Sequence, residues 1–281
     1  MTDRIAVVGA GQMGSGIAHV FAVAGFDVTM IDVNPDVLTR ARKSISGNLD
    51  RQVKKGTIDA VAKAAALARI ADAVVLDAVR DATVVIEAAT ENADLKFRIF
   101  KDIDRHAREG ATLATNTSSI SITRIASETR RPDAVVGMHF MNPVPVMQLV
   151  EIIRGQATSE ATAARVVDLV KQLGKTPVEA CDYPGFIANR VLMPMINEAV
   201  YCVMEGVGTA ESIDTVMKLG MNHPMRPLAL ADFIGLDVCL AILEVLQDGY
   251  GDPKYGPCPL LRRMVAAGQL GRKSGQGFYT Y

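Results

Sequence analysis

Residues 4–32 of the chain read RIAVVGAGQMGSGIAHVFAVAGFDVTMID. An apolar strand at 5–8 leads into a turn with glycines at 9, 11 and 14, an amphipathic helix, a second strand at 28–31 and an acid at 32. The glycine pattern alone is common, but the strand before it, the helix after it and the acid about 20 residues later form one consistent unit. This stretch therefore predicts a strand–helix–strand unit at the start of a parallel sheet.

Each glycine of the turn has a physical role. Gly9 lets the chain turn sharply out of the strand, and Gly11 lets a pyrophosphate approach the backbone without meeting a Cβ. Gly14 lets the helix lie close to the sheet. The first helical turn, which includes Gln12 and Met13, offers unpaired N–H groups and the positive end of the helix dipole to two phosphates. We therefore expect a dinucleotide at this turn, against the alternative of a glycine turn that binds nothing.

The acid at the tip of the second strand indicates which dinucleotide is expected. Asp32 is placed to accept hydrogen bonds from the adenosine ribose hydroxyls, where a 2′-phosphate would meet a like charge. Neither Val33 nor Asn34 supplies a compensating cation. The expected cofactor is therefore NAD and not NADP.

The bulk composition is that of a soluble globular α/β protein. The 281 residues carry a net charge of −1, with 22% charged and 49% apolar residues, and the chain is long enough to bury a substantial core. This charge gives no electrostatic footprint for nucleic acid, and no uncharged apolar run reaches the ~18 residues that a membrane helix needs. We therefore expect neither a nucleic-acid partner nor a membrane partner.

The cysteines and the start of the chain bear on the cellular compartment. Cys181, Cys202, Cys239 and Cys258 are far apart and match no metal-ligand spacing, so we expect no metal site and reduced thiols that are mostly buried. Strand residues follow Met1 almost at once, which leaves no room for a secretory or transit segment. These features predict a cytoplasmic protein.

Strands and helices alternate through the first two thirds of the chain. Further strand candidates lie at 83–88, 111–115, 135–138 and 148–153, and helix candidates lie at 35–55, 58–69, 94–108 and 159–173. Such alternation predicts a mostly parallel, doubly wound sheet with helices on both faces. The predicted fold class is therefore α/β, with an N-terminal Rossmann-type domain over 1–183 that has a helical insertion after the second strand.

The pattern changes near Tyr183-Pro184-Gly185. From there to about Gly249, apolar residues recur at helical spacing, and we predict a smaller all-α domain over 184–281. Its Met- and Leu-rich helices exceed what a small core needs, so our hypothesis is that this domain forms a homodimer and contributes to the substrate site. The tail from 268 to 281 is glycine-rich and basic.

One of the four histidines stands where chemistry is expected. His19 and His106 are predicted to be structural, and His223, in a loop, is ambiguous. His139 lies just beyond the C-terminal end of the strand at 135–138, at the edge where open parallel sheets bind ligands. Glu151 is a lone acid in the next strand, and a nearby imidazole would supply the partner that a carboxylate needs there.

This pairing predicts a base for the oxidation of an alcohol. Neutral imidazole, with a pKa of about 6.5, can accept an alcohol proton near neutrality. A carboxylate on the other ring nitrogen fixes the tautomer and stabilises the imidazolium as hydride leaves. The alternative is a core histidine beside an edge-strand glutamate.

Two segments carry a resemblance to a known family. Residues 138–147 read MHFMNPVPVM and are followed by Glu151, and this segment closely resembles the active-site segment of the L-3-hydroxyacyl-CoA dehydrogenase family. The resemblance is strongest to the bacterial 3-hydroxybutyryl-CoA dehydrogenases. Residues 182–190 read DYPGFIANR and resemble the family's signature at the junction of its two domains. The likeness runs from Arg4 to Tyr281 and so covers nearly the whole chain.

The resemblance implies roles for individual residues. His139 is implied to be the general base for oxidation and the acid for reduction, with Glu151 as its orienting partner. Ser118 is implied to hydrogen-bond the 3-oxygen of the substrate, and Asn189 to steady the same region. The positions that match residues lining the NAD site of the family are Glu91, Lys96, Asn116, Ser118, Asn142 and Lys273.

Simpler explanations exist for three of these residues. Ser118 is also suited to cap a helix that starts at Ile120, and Asn189 to be an amide on a helix surface. Lys273 is also suited to a solvated tail.

A basic helix follows Asp32. Its cations are Arg40, Arg42, Lys43, Arg51, Lys54 and Lys55. Read alone, such a run indicates a solvated face. The resemblance implies instead that this helix holds the nucleotide end of coenzyme A, with Lys55 as a contact and Asn48 where some family members have serine. Arg226 stands where relatives usually have glycine, which leaves the acyl-chain preference open.

The leading interpretation is an enzyme that interconverts (3S)-3-hydroxyacyl-CoA and 3-oxoacyl-CoA with NAD, preferring a short acyl chain such as 3-hydroxybutyryl. One alternative is a dehydrogenase of a free hydroxyacid or sugar acid on the same fold. Another is a non-catalytic NAD-binding protein. Fatty-acid degradation, polyester or butyrate metabolism and aromatic breakdown all use the leading reaction, so the pathway stays open.

Overall fold

The computed structural model of the chain describes residues 3–281. These residues form two compact units. The first ends at Asp182, and the second runs from Tyr183 to Tyr281.

The first unit is built on one eight-stranded sheet. Its strands are β1 (Arg4–Val8), β2 (Asp27–Ile31), β3 (Ile70–Ala73), β4 (Val84–Glu87), β5 (Thr112–Thr115), β6 (Val135–Phe140), β7 (Leu149–Arg154) and β8 (Thr176–Cys181). They lie in the order β3-β2-β1-β4-β5-β6-β7-β8. Only the β6–β7 pair is antiparallel among these strands, so the predicted mostly parallel α/β sheet is confirmed.

Six α-helices accompany this sheet. They are α1 (Gln12–Val23), α2 (Pro35–Lys54), α3 (Ala60–Ala68), α4 (Ala93–His106), α5 (Ile122–Ala126) and α6 (Glu160–Gln172), with 3-10 turns at Leu76–Asp81 and Pro132–Ala134. Polar side chains cap several of them: Asn92 accepts a hydrogen bond from the N–H of Leu95 at 2.9 Å, and Asp59 accepts one from Ala62 at 2.7 Å. Pro35 occupies the first position of α2, where a missing N–H costs nothing.

The direction in which the sheet is built reverses beside β1. The chain adds β2 and β3 on one side of β1 and then returns to add β4 and β5 on the other side. Right-handed crossovers in opposite directions place the connecting helices on opposite faces of the sheet. The carboxyl ends of β1 and β4 therefore flank the crevice where open α/β sheets bind ligands.

The sequence patterns miss two strands and misplace the end of a third. β3 and β8 lie at the two edges of the sheet and are not among the predicted strands. The strand predicted at 135–138 continues to Phe140, so the prediction that His139 lies beyond its end is wrong. Pairing with β7, which includes His139 opposite Glu151, keeps these last residues extended.

The second unit is helical. Its elements are α7 (Ala188–Met204), α8 (Ala210–Thr215), a π-helical turn at Val216–Gly220, α9 (Pro227–Ile234), α10 (Leu236–Tyr250) and α11 (Pro259–Ala266), with 3-10 turns at Pro253–Tyr255 and Arg272–Ser274. Its core contains Met193, Ile196, Leu228, Leu236, Leu243 and Leu261. The predicted all-α C-terminal part is confirmed.

The C-terminal tail is anchored by a buried acid of the same unit. Asp232, on α9, accepts hydrogen bonds from the backbone N–H groups of Phe278 and Tyr279, both at 2.9 Å. Gly271 has φ +86°, and a Cβ there would lie 2.3 Å from the carbonyl oxygen of Asp232. The tail therefore packs closely on α9, although its composition suggests a solvated segment.

Among residues 3–281, no helix is both long and apolar enough to cross a membrane.

The expectation that the thiols are mostly buried is wrong for Cys181, which is exposed, and Cys202 is only half-buried. Cys181 is the last residue of β8, an edge strand, which explains its exposure.

Candidate active site

His139 and Glu151 are joined by a hydrogen bond inside the sheet. They lie opposite each other in the antiparallel β6–β7 pair, and His139 Nδ1 is 2.7 Å from Glu151 Oε2. Both residues are buried, with exposed fractions of 8% and 1%. In a neutral imidazole, a carboxylate that accepts a hydrogen bond from Nδ1 favours the tautomer in which Nε2 is the proton acceptor. The alternative of an edge-strand glutamate is wrong, because β8 pairs with the far side of β7.

The glycine turn has the geometry that a pyrophosphate requires. Gly9 has φ +96°, and a Cβ there would lie 2.5 Å from the Cα of Ala89. A Cβ at Gly14 would lie 1.8 Å from the carbonyl oxygen of Gly9, so α1 approaches the turn too closely for any other residue. A Cβ at Gly11 would meet nothing within 4 Å. Gly11 is the N-cap of α1 and provides no side-chain cap, which leaves the first N–H groups of the helix for a ligand.

Asp32 is held at the tip of β2 by two backbone groups. Its Oδ2 accepts a hydrogen bond from the N–H of Ala10, in the glycine turn, and its Oδ1 accepts one from the N–H of Asn34, both at 3.0 Å. The carboxylate is therefore fixed beside the turn. Val33 is 89% exposed and Asn34 is exposed, and neither places a cation next to it. This arrangement fits the ribose hydroxyls of NAD.

A buried ion pair lies at the carboxyl ends of β4 and β5. Glu87 and Lys96 are fully buried and bonded to each other, and Thr115 Oγ1 donates to Glu87 Oε2 at 2.8 Å. The second Glu87 oxygen accepts from the N–H of Ala89 at 2.9 Å. Each charge is thereby compensated, which a buried ion pair needs in order to persist.

Glu91 holds Ser118. Glu91 Oε1 accepts hydrogen bonds from the Ser118 N–H at 2.6 Å and from Ser118 Oγ at 3.0 Å. Its Oε2 accepts from Thr117 Oγ1 at 2.8 Å and lies 3.9 Å from Lys96 Nζ. The alternative that Ser118 caps a helix starting at Ile120 is wrong, because α5 begins at Ile122 and its cap is Ser121.

Two asparagines connect the ends of neighbouring elements. Asn116 Oδ1 accepts a hydrogen bond from the N–H of Phe140, the residue after His139, at 2.9 Å. Asn142 Oδ1 accepts one from Gln12 Nε2, in the first turn of α1, at 3.2 Å. The first unit therefore brings together the glycine turn, the loop that follows β6 and the ends of β4 and β5.

Two predicted site residues belong to the second unit. Asn189 lies in the first turn of α7 and is buried, so the alternative of an amide on a helix surface is wrong. Lys273 is not simply solvated: its Nζ is 2.6 Å from Asp237 Oδ2. Arg226 lies with its guanidinium 5.5 Å from the centre of the Tyr279 ring.

The basic helix α2 divides into bound and solvated cations. Arg42 is used within the first unit: its Nε donates to Asp72 at 2.9 Å and its guanidinium also bonds the carbonyl oxygens of Leu67 and Ile70. Arg51 is bonded to the Asn48 side chain. Lys54 and Lys55, at the end of α2, are exposed. The candidate phosphate ligands of this helix are therefore fewer than its charge suggests.

Two of the remaining histidines, His19 and His106, have structural positions, as the sequence predicts. His19 is buried on α1 with Nε2 3.2 Å from Gln52 Oε1, and His106 is on the surface 3.2 Å from Asp77. His223, which the sequence leaves ambiguous, lies in a loop with Nδ1 2.5 Å from the carbonyl oxygen of Met225.

Two family models together span the chain. Residues 4–183 match the model described as 3-hydroxyacyl-CoA dehydrogenase, NAD binding domain, and residues 185–281 match the model of the 3-hydroxyacyl-CoA dehydrogenase C-terminal domain. The chain belongs to the 3-hydroxyacyl-CoA dehydrogenase family. The resemblance stated from the sequence is thereby confirmed, and membership makes the protein an NAD-dependent oxidoreductase.

Individual members of the 3-hydroxyacyl-CoA dehydrogenase family are similar over their full length. A probable 3-hydroxybutyryl-CoA dehydrogenase of Bacillus subtilis is 57% identical over 99% of this chain and 97% of its own. A 3-hydroxybutyryl-CoA dehydrogenase of Bradyrhizobium diazoefficiens is 53% identical over 99% of this chain and 95% of its own. The crystal structure of (S)-3-hydroxybutyryl-CoA dehydrogenase from Ralstonia eutropha superposes with a TM-score of 0.98 at 51% identity, covering 100% of this chain and 99% of that one.

Sequence reasoning about this member of the 3-hydroxyacyl-CoA dehydrogenase family misses Glu87 and Thr117. Glu87 is an acid at the end of an otherwise apolar strand, which is the same signal that singles out Glu151. Its partner Lys96 is nine residues further along the chain, on α4. Thr117 has no comparable signal, because its bond to Glu91 depends on how two strand ends meet.

Proposed function

We propose that this chain interconverts (3S)-3-hydroxyacyl-CoA and 3-oxoacyl-CoA with NAD, and that its substrate is a short-chain thioester such as 3-hydroxybutyryl-CoA. The observation that carries the proposal is the buried 2.7 Å hydrogen bond between His139 and Glu151, in the same sheet as the glycine turn. The names of the relatives support the choice of a four-carbon acyl group.

In the oxidation direction His139 is the base. Its Nε2 lone pair takes the proton of the substrate's 3-hydroxyl, while bound NAD supplies the hydride acceptor for the hydrogen on C3. The substrate loses one hydride and one proton, and the C3–O bond becomes a carbonyl. Glu151 stabilises the imidazolium that results, because its negative charge is bonded to the opposite ring nitrogen. In reduction His139 returns the proton to the oxygen.

Ser118 is proposed to position the substrate's 3-oxygen. Glu91 fixes the backbone and the hydroxyl of Ser118 together, so the serine has a defined location at the end of β5. Asn189 is proposed to steady the same substrate region through its amide. These assignments follow the family resemblance of the two motifs that contain the residues.

The NAD site is proposed to use residues from several strand ends. The fit of the glycine turn to a pyrophosphate and the fixed carboxylate of Asp32 support it. The proposed NAD-binding residues are Gly9, Gly11, Gln12, Met13, Gly14, Asp32, Glu91, Lys96, Asn116, Ser118, Asn142 and Lys273.

Coenzyme A is proposed to bind at the end of α2. Lys55 and its neighbour Lys54 are exposed there, and ammonium groups are suited to the phosphates of the nucleotide end. Asn48, whose side chain is bonded to Arg51, is the third candidate contact.

The test of this function is NADH consumption with three substrates. We expect the purified protein to oxidise NADH rapidly with acetoacetyl-CoA, more slowly with a longer 3-oxoacyl-CoA and hardly at all with free acetoacetate. Faster turnover of the free acid would favour a hydroxyacid dehydrogenase. No turnover with any of the three, together with normal NADH binding, would favour a non-catalytic NAD-binding protein.

We also propose that the protein acts in the cytoplasm as a homodimer formed by its second domain, residues 184–281. Four apolar side chains that lie close together in the sequence, between α7 and α9, are 58–76% exposed: Val207, Val216, Leu219 and Met221. A contiguous exposed apolar surface marks an interaction site. A second copy of this unit would cover such a surface. Light scattering should give twice the chain mass across micromolar dilutions, and a monomer mass throughout would contradict the proposal.

A further inference from the structure

Lys175 is a buried ammonium group whose hydrogen bonds within residues 3–281 go to backbone carbonyls. It is 8% exposed and follows Gly174, just before β8 begins at Thr176. No ion pair between described residues includes it, although most cations of the first unit with low exposure have a carboxylate partner. Burial lowers the pKa of this ammonium. A charge placed in this way is costly, which calls for an explanation.

The two bonds of Lys175 both go to one loop. Its Nζ donates to the carbonyl oxygen of Val144 at 2.8 Å and to that of Met147 at 2.6 Å. Within the same loop, the carbonyl oxygen of Pro143 accepts the N–H groups of Val146 and Met147 at 2.9 and 3.0 Å. The turn bonds within the loop use the carbonyl oxygen of Pro143, and the Lys175 ammonium binds the carbonyl oxygens of Val144 and Met147.

This loop joins the two strands that carry the catalytic pair. It leaves β6 directly after His139 and Phe140, and it enters β7 at Leu149, two residues before Glu151. Asn142, at its start, is bonded to Gln12 of α1. The loop thus stands between the His139–Glu151 pair and the glycine-turn helix.

Helix α1 also holds the loop. A Cβ at Gly16 would lie 2.9 Å from the Cβ of Val144, so the glycine admits the valine side chain against the helix. Val144 is therefore fixed twice, through its side chain by α1 and through its carbonyl by Lys175. A rigid loop keeps Asn142 beside the first turn of α1 at no further entropic cost on binding.

We propose that Lys175 is a positioning residue for the cofactor, which fixes the loop 142–147 and through it Asn142 in the geometry that binds NAD. The inference rests on the proposed function for the role of Asn142. Without the ammonium the loop would sample other conformations, and the apparent affinity for NADH would fall with the fraction of molecules in the binding conformation.

The test measures NADH binding without substrate, by the change in NADH fluorescence. Lys175→Met keeps the length of the side chain and removes all three donors. If the binding conformation falls to about a tenth of the population, the Kd for NADH rises about tenfold. Lys175→Arg, which keeps the charge and the donors, should restore most of the affinity. The matched control is Lys171→Met, which removes an exposed lysine of α6 and should leave the Kd unchanged.

A purely structural role predicts a different pattern. Lys175→Met would then lower the melting temperature, and the folded fraction would bind NADH with unchanged Kd, which overturns the proposal. Should Lys175→Met fail to fold, Lys175→Gln takes its place, since its amide retains two donors without the charge. An unchanged NADH Kd in folded Lys175→Gln would equally overturn it.

A double-variant cycle tests the route through the loop. If Lys175 acts through Asn142, the Lys175→Met and Asn142→Ala effects on the NADH Kd overlap, and the double variant is scarcely worse than either one. Fully additive effects would show that Lys175 acts elsewhere. Failure of the proposed function is seen separately, as wild-type protein that binds NADH but does not consume it with acetoacetyl-CoA.

Discussion

His139 and Glu151 are directly opposed residues of neighbouring antiparallel strands, with 2.7 Å between Nδ1 and Oε2. Opposed residues project from the same face of a sheet, so the strand register alone brings the two side chains together. A slip of one residue would turn Glu151 to the other face and leave a buried carboxylate without the imidazole. The geometry of the pair is therefore set by the pairing of β6 with β7.

His139→Gln tests the assignment of the base. Glutamine keeps a polar group of similar size but does not take up a proton, so turnover should fall roughly 10²- to 10⁴-fold. NADH binding should stay close to that of the wild type, because the substitution leaves the glycine turn intact. Steady-state rates with acetoacetyl-CoA and fluorescence titration of NADH would check both statements.

The matched variant is Glu151→Gln. It removes the charge that stabilises the imidazolium but retains a hydrogen-bonding side chain, so its turnover should lie between those of the wild type and His139→Gln. Wild-type rates in His139→Gln would show that another group moves the proton. Wild-type rates in Glu151→Gln would show that the carboxylate does not contribute to the rate.

Asp32→Arg tests the ribose contact. The change removes hydrogen bonds to a charged group, each contributing about 1.5–3 kcal/mol, so kcat/KM with NADH should fall tenfold or more. The new cation should at the same time favour the 2′-phosphate of NADPH. The measured quantity is the ratio of kcat/KM for the two cofactors, and Asp32→Asn provides the control for the lost bonds to Ala10 and Asn34. An unchanged ratio would contradict the contact.

The central part of the fold could be predicted from the sequence. Strands β1, β2 and β4 are apolar runs bounded by turn residues, and most of their side chains are buried, so periodicity identifies them. Glu151 stands out for a related reason: an acid within a buried strand requires a partner. His139 could be proposed as that partner because its strand is next to the strand of Glu151 in the sequence.

The edges of the sheet and the polar network could not be predicted in this way. β3 has the sequence IADA with one buried residue, and β8 contains Pro177 and is mostly exposed. Edge strands bury little and tolerate proline, so they lack the apolar signal. The bond of Glu91 to Ser118 joins residues 27 positions apart at the ends of different elements. Local sequence patterns do not indicate that these two residues lie close together in the fold.

Charge reversal at the end of α2 tests the coenzyme A site. The double variant Lys54→Glu/Lys55→Glu should raise the KM for acetoacetyl-CoA by about tenfold at low salt and by less in high salt, because exposed charges are screened. The KM for NADH should not change. Lys171→Glu, on α6, is the control for an added negative charge. Equal KM values for wild type and double variant would indicate that these lysines are only solvated.

Glu87→Gln tests the buried ion pair between Glu87 and Lys96. The substitution leaves the Lys96 ammonium buried without its main partner, which should lower the free energy of unfolding by about 3–5 kcal/mol. Glu87→Gln/Lys96→Met removes both charges and should recover part of that loss. Chemical denaturation of the three proteins would check this. A double variant less stable than Glu87→Gln would show that the pair is not the source of the loss.

The buried imidazole of His19 should make the folded state less stable in mild acid. Burial lowers the pKa of this imidazole below its ordinary value of 6.5, and the nearby Lys175 charge acts in the same direction against the bond to Gln52. Its Nδ1 is buried with no hydrogen-bond partner among the described residues, so the folded state gains nothing from protonating it.

Below about pH 6.5 the unfolded state therefore binds a proton on His19 that the folded state does not. The contribution of neutral His19 to the free energy of unfolding is therefore fully present above about pH 6.5 and is lost as the pH falls from there to the lower pKa of the folded state. The melting temperature should drop between about pH 7 and pH 5 by more in the wild type than in His19→Gln. An equal drop in both proteins would assign the acid sensitivity to other groups.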